Sequence, residues 1–119
     1  MRTYWEHLGT EQADGFEIQF SITPDDTHPA DLYDPASFAD EDGLQKLIEA
    51  IDRGDLQWFT ARVQAFKNGV LLASDYLGGN CYDNPLDFIS EGGYYEDMRW
   101  TVINEAKETI KKLTEDATQ

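Results

Sequence analysis

The chain has 119 residues and a formal net charge of −15 at pH 7, because 24 acidic side chains outnumber 9 basic ones. Such a charge repels nucleic acid and anionic membranes, which argues against direct binding to either, and it attracts basic protein surfaces. Apolar residues make up 40% of the chain and aromatic residues 13%, which can build a core and argues against a disordered chain. The length predicts a single domain over residues 1–119. One cysteine and an N-terminus without an apolar run predict a cytoplasmic protein.

The first half of the chain predicts a hairpin, an irregular acidic stretch and a helix. Residues 15–23 alternate apolar and polar side chains, as a strand with one buried face does. The preceding stretch TYWEHL is predicted to pair with it as a second strand, and the turn ADG at 13–15 joins the two. Prolines at positions 24, 29 and 35 predict that the following stretch is neither sheet nor helix. Residues 41–53 have helical spacing of apolar residues, an acidic start and a glycine after the last residue, so they predict a helix.

The second half predicts a second hairpin and two helices. Asn68-Gly69 favours a two-residue turn between strands at 57–67 and 70–76, and the glycine pair at 78–79 predicts the end of the second strand. DNPLDFI predicts a short helix, and residues 94–113 predict a long helix with one apolar face. The order β-β-α-β-β-short α-α indicates an α+β fold, in which two hairpins form a four-stranded antiparallel sheet with helices packed on one face.

The negative charge is concentrated in the first half. Residues 1–60 hold 14 acidic and 3 basic residues, a net of −11, whereas residues 61–119 hold 10 and 6, a net of −4. The acids at positions 40–42 suit a helix N-terminus. The remaining acids of this region are the candidate partner-binding residues: Asp25, Asp26, Asp31, Asp34, Glu49, Asp52 and Asp55. Such carboxylates can pair with the Arg and Lys that otherwise hold phosphates, although an acidic surface can also serve solubility alone.

Aromatic residues offer a second interpretation. Trp58, Phe66 and Tyr82 are candidates for an exposed interface of a structural or regulatory interaction protein, either with another protein or in a homodimer. The first interpretation predicts that a monomer or a homodimer binds a basic partner in a salt-sensitive way. The second predicts that association depends only weakly on salt. The two interpretations therefore differ in the salt dependence that they predict.

A metal site or an enzyme is the third interpretation. An EF-hand register places Phe38, which cannot bind calcium, at the first ligand position, so that motif is excluded. A looser divalent site from Asp25, Asp26, His28 and Asp31 stays open. Cys81 has no family signature around it, and the two histidines are distant in sequence. We therefore predict no catalytic residue, no metal ligand and no cofactor, and we keep a small metal-dependent enzyme as an alternative.

The stretches YWEHLGTE, FKNGVLLASDYLGG and GGYYEDM resemble segments of small phage and prophage proteins. As a small, acidic, single-domain α+β chain, the whole resembles the counter-defence proteins of phages and plasmids, namely anti-CRISPR proteins and antirestriction DNA mimics. The resemblance implies a non-enzymatic inhibitor that binds a nucleic-acid-handling complex of the host, such as a CRISPR surveillance complex, and blocks its target DNA. It implies no catalytic residue.

Overall fold

The strands form one antiparallel sheet in chain order. A computed structural model describes residues 4–32 and 42–117. The strands are β1 (Glu6–Ala13), β2 (Phe16–Pro24), β3 (Gln57–Lys67) and β4 (Val70–Tyr82). Each strand is antiparallel to the next, and the sheet order is β1-β2-β3-β4. The predicted α+β fold with a four-stranded antiparallel sheet is confirmed.

Two tight turns join the strands of the two hairpins. Asp14 and Gly15 have φ of 52° and 86°, and Asn68 and Gly69 have φ of 52° and 79°. Two consecutive residues with positive φ form the type I′ turn, whose twist matches that of the flanking strands. Both predicted hairpins are therefore present, and the short polar-glycine pairs account for them.

Strand β4 is longer than predicted. It continues through Gly78 and Gly79 to Tyr82, and its pairing with β3 changes register between Leu77 and Asn80. The two glycines thus form a bulge within a continuing strand, and the predicted strand end at this position is wrong. The amide of Asn80 donates to the carbonyl of Leu77 at 2.6 Å and to a β3 carbonyl at 3.1 Å, which holds the bulge in place.

The helices of the described part are α1 (Pro29–Leu32), α2 (Gly43–Arg53), α3 (Asp87–Ser90) and α4 (Tyr94–Ala117). The short helix α1 lies in the stretch that was predicted to be irregular. Its proline occupies the first helical position, where the missing N–H has no intrahelical partner to lose. The predicted helices correspond to α2, α3 and α4, and α4 extends beyond the predicted residue 113.

The core lies between one face of the sheet and α4. Its side chains alternate along β2 and β3 and recur along α4: Phe16, Ile18, Phe20, Ile22, Phe59, Ala61, Val63, Ala65, Tyr95, Met98, Val102, Ile103 and Ala106. Phe88 of α3 is fully buried among them, stacked on Phe20 at 5.5 Å between ring centroids. Helix α4 packs on β3 and β4, and two ion pairs, Arg99 with Glu11 and Lys107 with Asp14, join it to the first hairpin.

Candidate functional site

Most of the negative charge lies in the connection between β2 and β3. Residues 24–56 contain ten acidic and two basic residues, so this segment carries −8 of the total −15. The connection leaves the sheet after Pro24 and re-enters it at Gln57. Because β2 and β3 are antiparallel neighbours, both points lie at the same end of the sheet. We call this end, with the described residues 24–32 and 42–56 of the connection, the acidic end.

The segment after β4 adds further negative charge at the acidic end. Residues 83–97 hold five acidic residues and no basic residue. Tyr82 at the end of β4 and Tyr94 at the start of α4 both contact Phe88, with ring centroids 5.8 and 6.4 Å apart, so this segment stays close to the end of β4. The first turn of α4 therefore begins near the acidic end.

The opposite end of the sheet is close to neutral. From its start near the acidic end, α4 runs toward the first hairpin turn, where Lys107 meets Asp14 at 3.1 Å. This end, which we call the turn end, bears both hairpin turns and four lysines: Lys67, Lys107, Lys111 and Lys112. Acidic residues such as Asp14 and Glu108 lie there as well, and outside residues 24–56 and 83–97 the chain holds nine acidic and seven basic residues, a net of −2. The charge of the molecule is therefore polarised along the strand direction.

Four of the predicted partner-binding acids are exposed at the acidic end: Asp26, Asp31, Glu49 and Asp52. Asp55 is also exposed, but it forms an ion pair with Arg53 at 3.0 Å. An exposed pair of this kind contributes little to stability, and it reduces the charge that a partner meets. Asp34 lies outside the described residues.

Asp25 differs from these acids because its carboxylate is already bound within the protein. It accepts hydrogen bonds from the backbone N–H of Thr27 and of Gly79, both at 2.8 Å, and from the hydroxyl of Thr60 at 3.1 Å. Burial acts to raise its pKa, but these hydrogen bonds, that of Gly79 foremost, prevail and hold the pKa below its usual value. Asp25 thus ties the start of the acidic connection to the bulge of β4, a structural role that the sequence did not predict.

The three aromatic candidates do not form one surface. Trp58 is only 8% exposed, and its indole N–H donates to the carbonyl of Thr27 at 2.6 Å. The expectation that Trp58 is exposed is therefore wrong, because the beginning of the acidic connection covers it. Phe66 is half-buried near the other end of β3, and Tyr82 is half-buried against Phe88 on the face that α4 covers.

The sheet face opposite α4 is polar and carries little charge. One row across the four strands consists of His7, Ser21, Arg62 and Tyr76. The guanidinium of Arg62 lies 4.2 Å from the centroid of the Trp5 ring, and Trp5 in turn contacts Tyr76 at 5.9 Å. A stacked guanidinium of this kind is favourable where it is partly desolvated. The acidic surface therefore does not extend over this face.

Neither metal binding nor thiol chemistry finds support in residues 4–32 and 42–117. Within these ranges no three His, Cys, Asp or Glu side chains lie close enough together to hold a metal ion, so the looser site around His28 is not assembled. Burial raises the pKa of the Cys81 thiol, and the nearby Asp83 raises it further. A reactive cysteine needs the opposite shift, toward the thiolate.

No helix of the described part combines the length and the apolar content that a bilayer crossing requires. The strongest feature of the surface is the contrast between the acidic end and the turn end. Comparisons of the chain with protein-family models, with curated proteins and with solved structures find no match.

Proposed function

We propose that the protein is a non-enzymatic inhibitor whose acidic end binds a basic nucleic-acid-binding groove of a host defence complex. The single observation that supports this proposal is the concentration of −8 in residues 24–56, the connection between β2 and β3, which leaves and re-enters the sheet at the same end. A charge that served solubility alone needs no such concentration, because interspersed charges serve it equally well. The mode of action would be that of anti-CRISPR and antirestriction DNA mimics, in the cytoplasm of the host cell.

The size of the charge fits imitation of a short piece of duplex. Duplex DNA carries about one negative charge per 1.7 Å of axis, so a net charge of −8 corresponds to about 14 Å of duplex. Helix α2 has 11 residues and is therefore about 16 Å long. Its exposed Glu49 and Asp52 are three residues apart, and residues at this spacing lie on the same side of a helix.

The polarised charge also favours one orientation of approach. The field of a basic groove attracts the acidic end and has little attraction for the turn end, so the molecule arrives with the acidic end first. Carboxylates there can accept charge-assisted hydrogen bonds from Arg and Lys of the groove. The partner is thus a basic nucleic-acid-binding protein or complex, such as a CRISPR surveillance complex, and not nucleic acid itself.

A displacement assay tests the proposal. The protein is titrated into purified CRISPR surveillance complexes and restriction enzymes that hold a fluorescent target duplex, at several salt concentrations. The acidic-end variant combines Asp26→Asn, Asp31→Asn and Asp52→Asn. The control variant removes the same charge elsewhere, with Glu17→Gln, Asp75→Asn and Glu108→Gln. All six residues keep their approximate shape.

We expect the wild type to displace the duplex from a member of the panel, with weaker displacement at higher salt. Three exposed ion pairs at about 0.5 kcal/mol each imply an approximately tenfold weaker inhibition by the acidic-end variant. The control variant should stay within about threefold of the wild type, because it leaves the acidic end unchanged. Equal weakening by both variants, salt-independent displacement, or no displacement from any complex would contradict the proposal.

A further inference from the structure

We propose that a cavity at the acidic end of the sheet binds an arginine side chain of the basic partner. The cavity has a volume of about 190 Å³, and its lining includes Tyr4, Glu6, Ile22, Pro24, Gln57 and Phe59. We call it the corner cavity. This inference deepens the proposed function and rests on it for the nature of the partner, because arginine is a residue with which nucleic-acid-binding grooves hold phosphates.

The corner cavity exists because α4 crosses the sheet face obliquely. The helix begins near the end of β4 and packs mainly on β3 and β4. Its ion pairs with the first hairpin are made at Glu11 and Asp14, which lie in the second half of β1 and in the turn. Glu6, at the start of β1, pairs with the core residue Ile22, so both side chains project from the face on which α4 packs. The start of β1 therefore forms a corner of this face beside the path of α4.

The floor of the corner cavity is apolar and its rim is polar. Ile22 and Phe59 are 5% and 1% exposed, so they form the floor. The exposed rim contributes the hydroxyl of Tyr4, the carboxylate of Glu6 and the amide of Gln57. No group in residues 4–32 and 42–117 forms a hydrogen bond or an ion pair with these three side chains. An apolar cavity with a few convergent polar groups is the usual composition of a binding site.

The charge and the size of the corner cavity select its occupant. Among the described residues of the lining, the only charged one is Glu6, and the acidic end around it repels an anion. An uncharged apolar side chain would remove water from the carboxylate of Glu6 without replacing its hydrogen bonds, which is unfavourable. Sites for whole small molecules usually have about 300–1,000 Å³, so a cavity of about 190 Å³ suits a single side chain. A side chain with an apolar stem and a cationic head therefore fits best.

A guanidinium matches the rim better than an ammonium does. It is planar and has five N–H donors, so it can pair with the carboxylate of Glu6 through two hydrogen bonds and still donate to the amide oxygen of Gln57. Its flat face can also stack on the ring of Tyr4. An ammonium is more strongly hydrated and loses more when water is removed. The methylene stem of an arginine packs on Ile22 and Phe59 while its head stays at the rim.

Nuclear magnetic resonance of the isotope-labelled full chain tests the inference with small compounds and needs no host complex. The probe is N-acetyl-arginine N-methylamide, and the lysine and norleucine derivatives supply the same backbone with an ammonium or an uncharged stem. We expect the arginine derivative to bind with a Kd of about 1 mM and to shift the amide signals of Glu6, Ile22 and Phe59. The lysine derivative should bind at least about threefold more weakly, and the norleucine derivative at least about tenfold more weakly.

Two variants and a matched control identify the groups that bind. Glu6→Gln should weaken binding of the arginine derivative about fivefold, because it removes the carboxylate and keeps the shape. Tyr4→Leu should weaken it about threefold, because it removes the ring on which the guanidinium stacks. Asp52→Asn, which removes the same charge from α2, should leave the Kd within about twofold. All three residues are exposed, and thermal unfolding verifies that each variant is folded.

An arginine derivative that does not bind at about 20 mM would overturn the inference. So would equal binding of the lysine or the norleucine derivative, or equal weakening by Glu6→Gln and Asp52→Asn. These results would leave the proposed function standing, because the other carboxylates of the acidic end can still pair with a basic groove. Conversely, binding of the arginine derivative without displacement of the duplex from any complex would support the arginine site and contradict only the proposed inhibition.

Discussion

Asp25→Asn removes one negative charge and almost preserves the shape of the side chain. In the wild type, one carboxylate oxygen accepts from Thr27 N–H, and the other accepts from Gly79 N–H and the Thr60 hydroxyl. An asparagine has one oxygen and one NH₂ group, so one of its two sides must present a donor to a backbone donor. Because Thr27 is exposed and water can reach it, we expect the oxygen to turn toward Gly79.

The expected loss of stability follows from these contacts. Hydrogen bonds to a charged group contribute about 1.5–3 kcal/mol each, and the variant loses one of them at a wet site and weakens two others. We therefore expect the free energy of unfolding to fall by about 2 kcal/mol at pH 7, which is roughly a 30-fold change in the unfolding equilibrium. The neighbouring exposed Asp26 offers a control, and Asp26→Asn should change stability by less than about 0.5 kcal/mol.

The pH dependence provides an independent check. The pKa of Asp25 in the folded protein lies below its ordinary value, because the hydrogen bonds outweigh the effect of burial. The contribution of this carboxylate is therefore complete above the unfolded pKa of about 3.9 and decreases as the pH falls through the folded pKa. Urea unfolding of the wild type and of Asp25→Asn should show a constant difference between about pH 5 and pH 8 and a smaller one near pH 3. A difference below about 0.5 kcal/mol at pH 7, or one that persists undiminished at pH 3, would refute the assigned role.

Three further predictions concern the core, a turn and the cysteine. Phe88→Ala should cost about 3–5 kcal/mol in urea unfolding, whereas Leu113→Ala, at a 60% exposed position, should cost little, and similar losses would contradict the assigned core. Gly69→Ala should cost about 1–2 kcal/mol because φ is 79° there, whereas Gly9→Ala, with open space around it and no positive φ, should be nearly neutral, and the reverse order would be inconsistent with a type I′ turn. Burial raises the pKa of the Cys81 thiol, so alkylation near pH 8 should be slower in the folded protein than in urea; equal or faster modification of the folded protein would disagree with this environment.

Local sequence patterns were sufficient for the two hairpins and for α2, α3 and α4, but not for the short helix α1 or for the bulge in β4. Alternation of apolar and polar side chains and polar-glycine turns depend only on residues that are adjacent in the sequence. Both hairpins could therefore be predicted from them. Considered within its own strand alone, the glycine pair at 78–79 predicts the end of the strand. The bulge depends on the amide of Asn80, which reaches a carbonyl of β3, a residue 21 positions earlier in the chain. No local pattern contains that contact.

The candidate site was partly predictable for the same reason. The excess of acidic residues in the first half is a property of the sequence, and it identified exposed acids such as Asp52. The sequence did not show that Asp25 accepts hydrogen bonds from residues of β3 and β4, or that Trp58 is covered by the carbonyl of Thr27. The polarity along the strand direction also depends on topology, because it requires that the connections lie at one end of the sheet.

The order of the elements has a consequence for synthesis of the chain. Each strand pairs with its neighbour in sequence, so all the strand pairings of the sheet become available once Tyr82 has been made. The two hairpins depend on local contacts, whereas β2 and β3 pair across residues 35 to 49 positions apart. Its apolar face stays uncovered until the buried residues of α4, which extend to Ala106, follow Tyr82 out of the ribosome. At about 5–20 residues per second this interval lasts roughly 1–5 s. Residues 1–82 hold 15 acidic and 5 basic residues, a net of −10, so mutual repulsion between nascent chains opposes aggregation while the face is exposed.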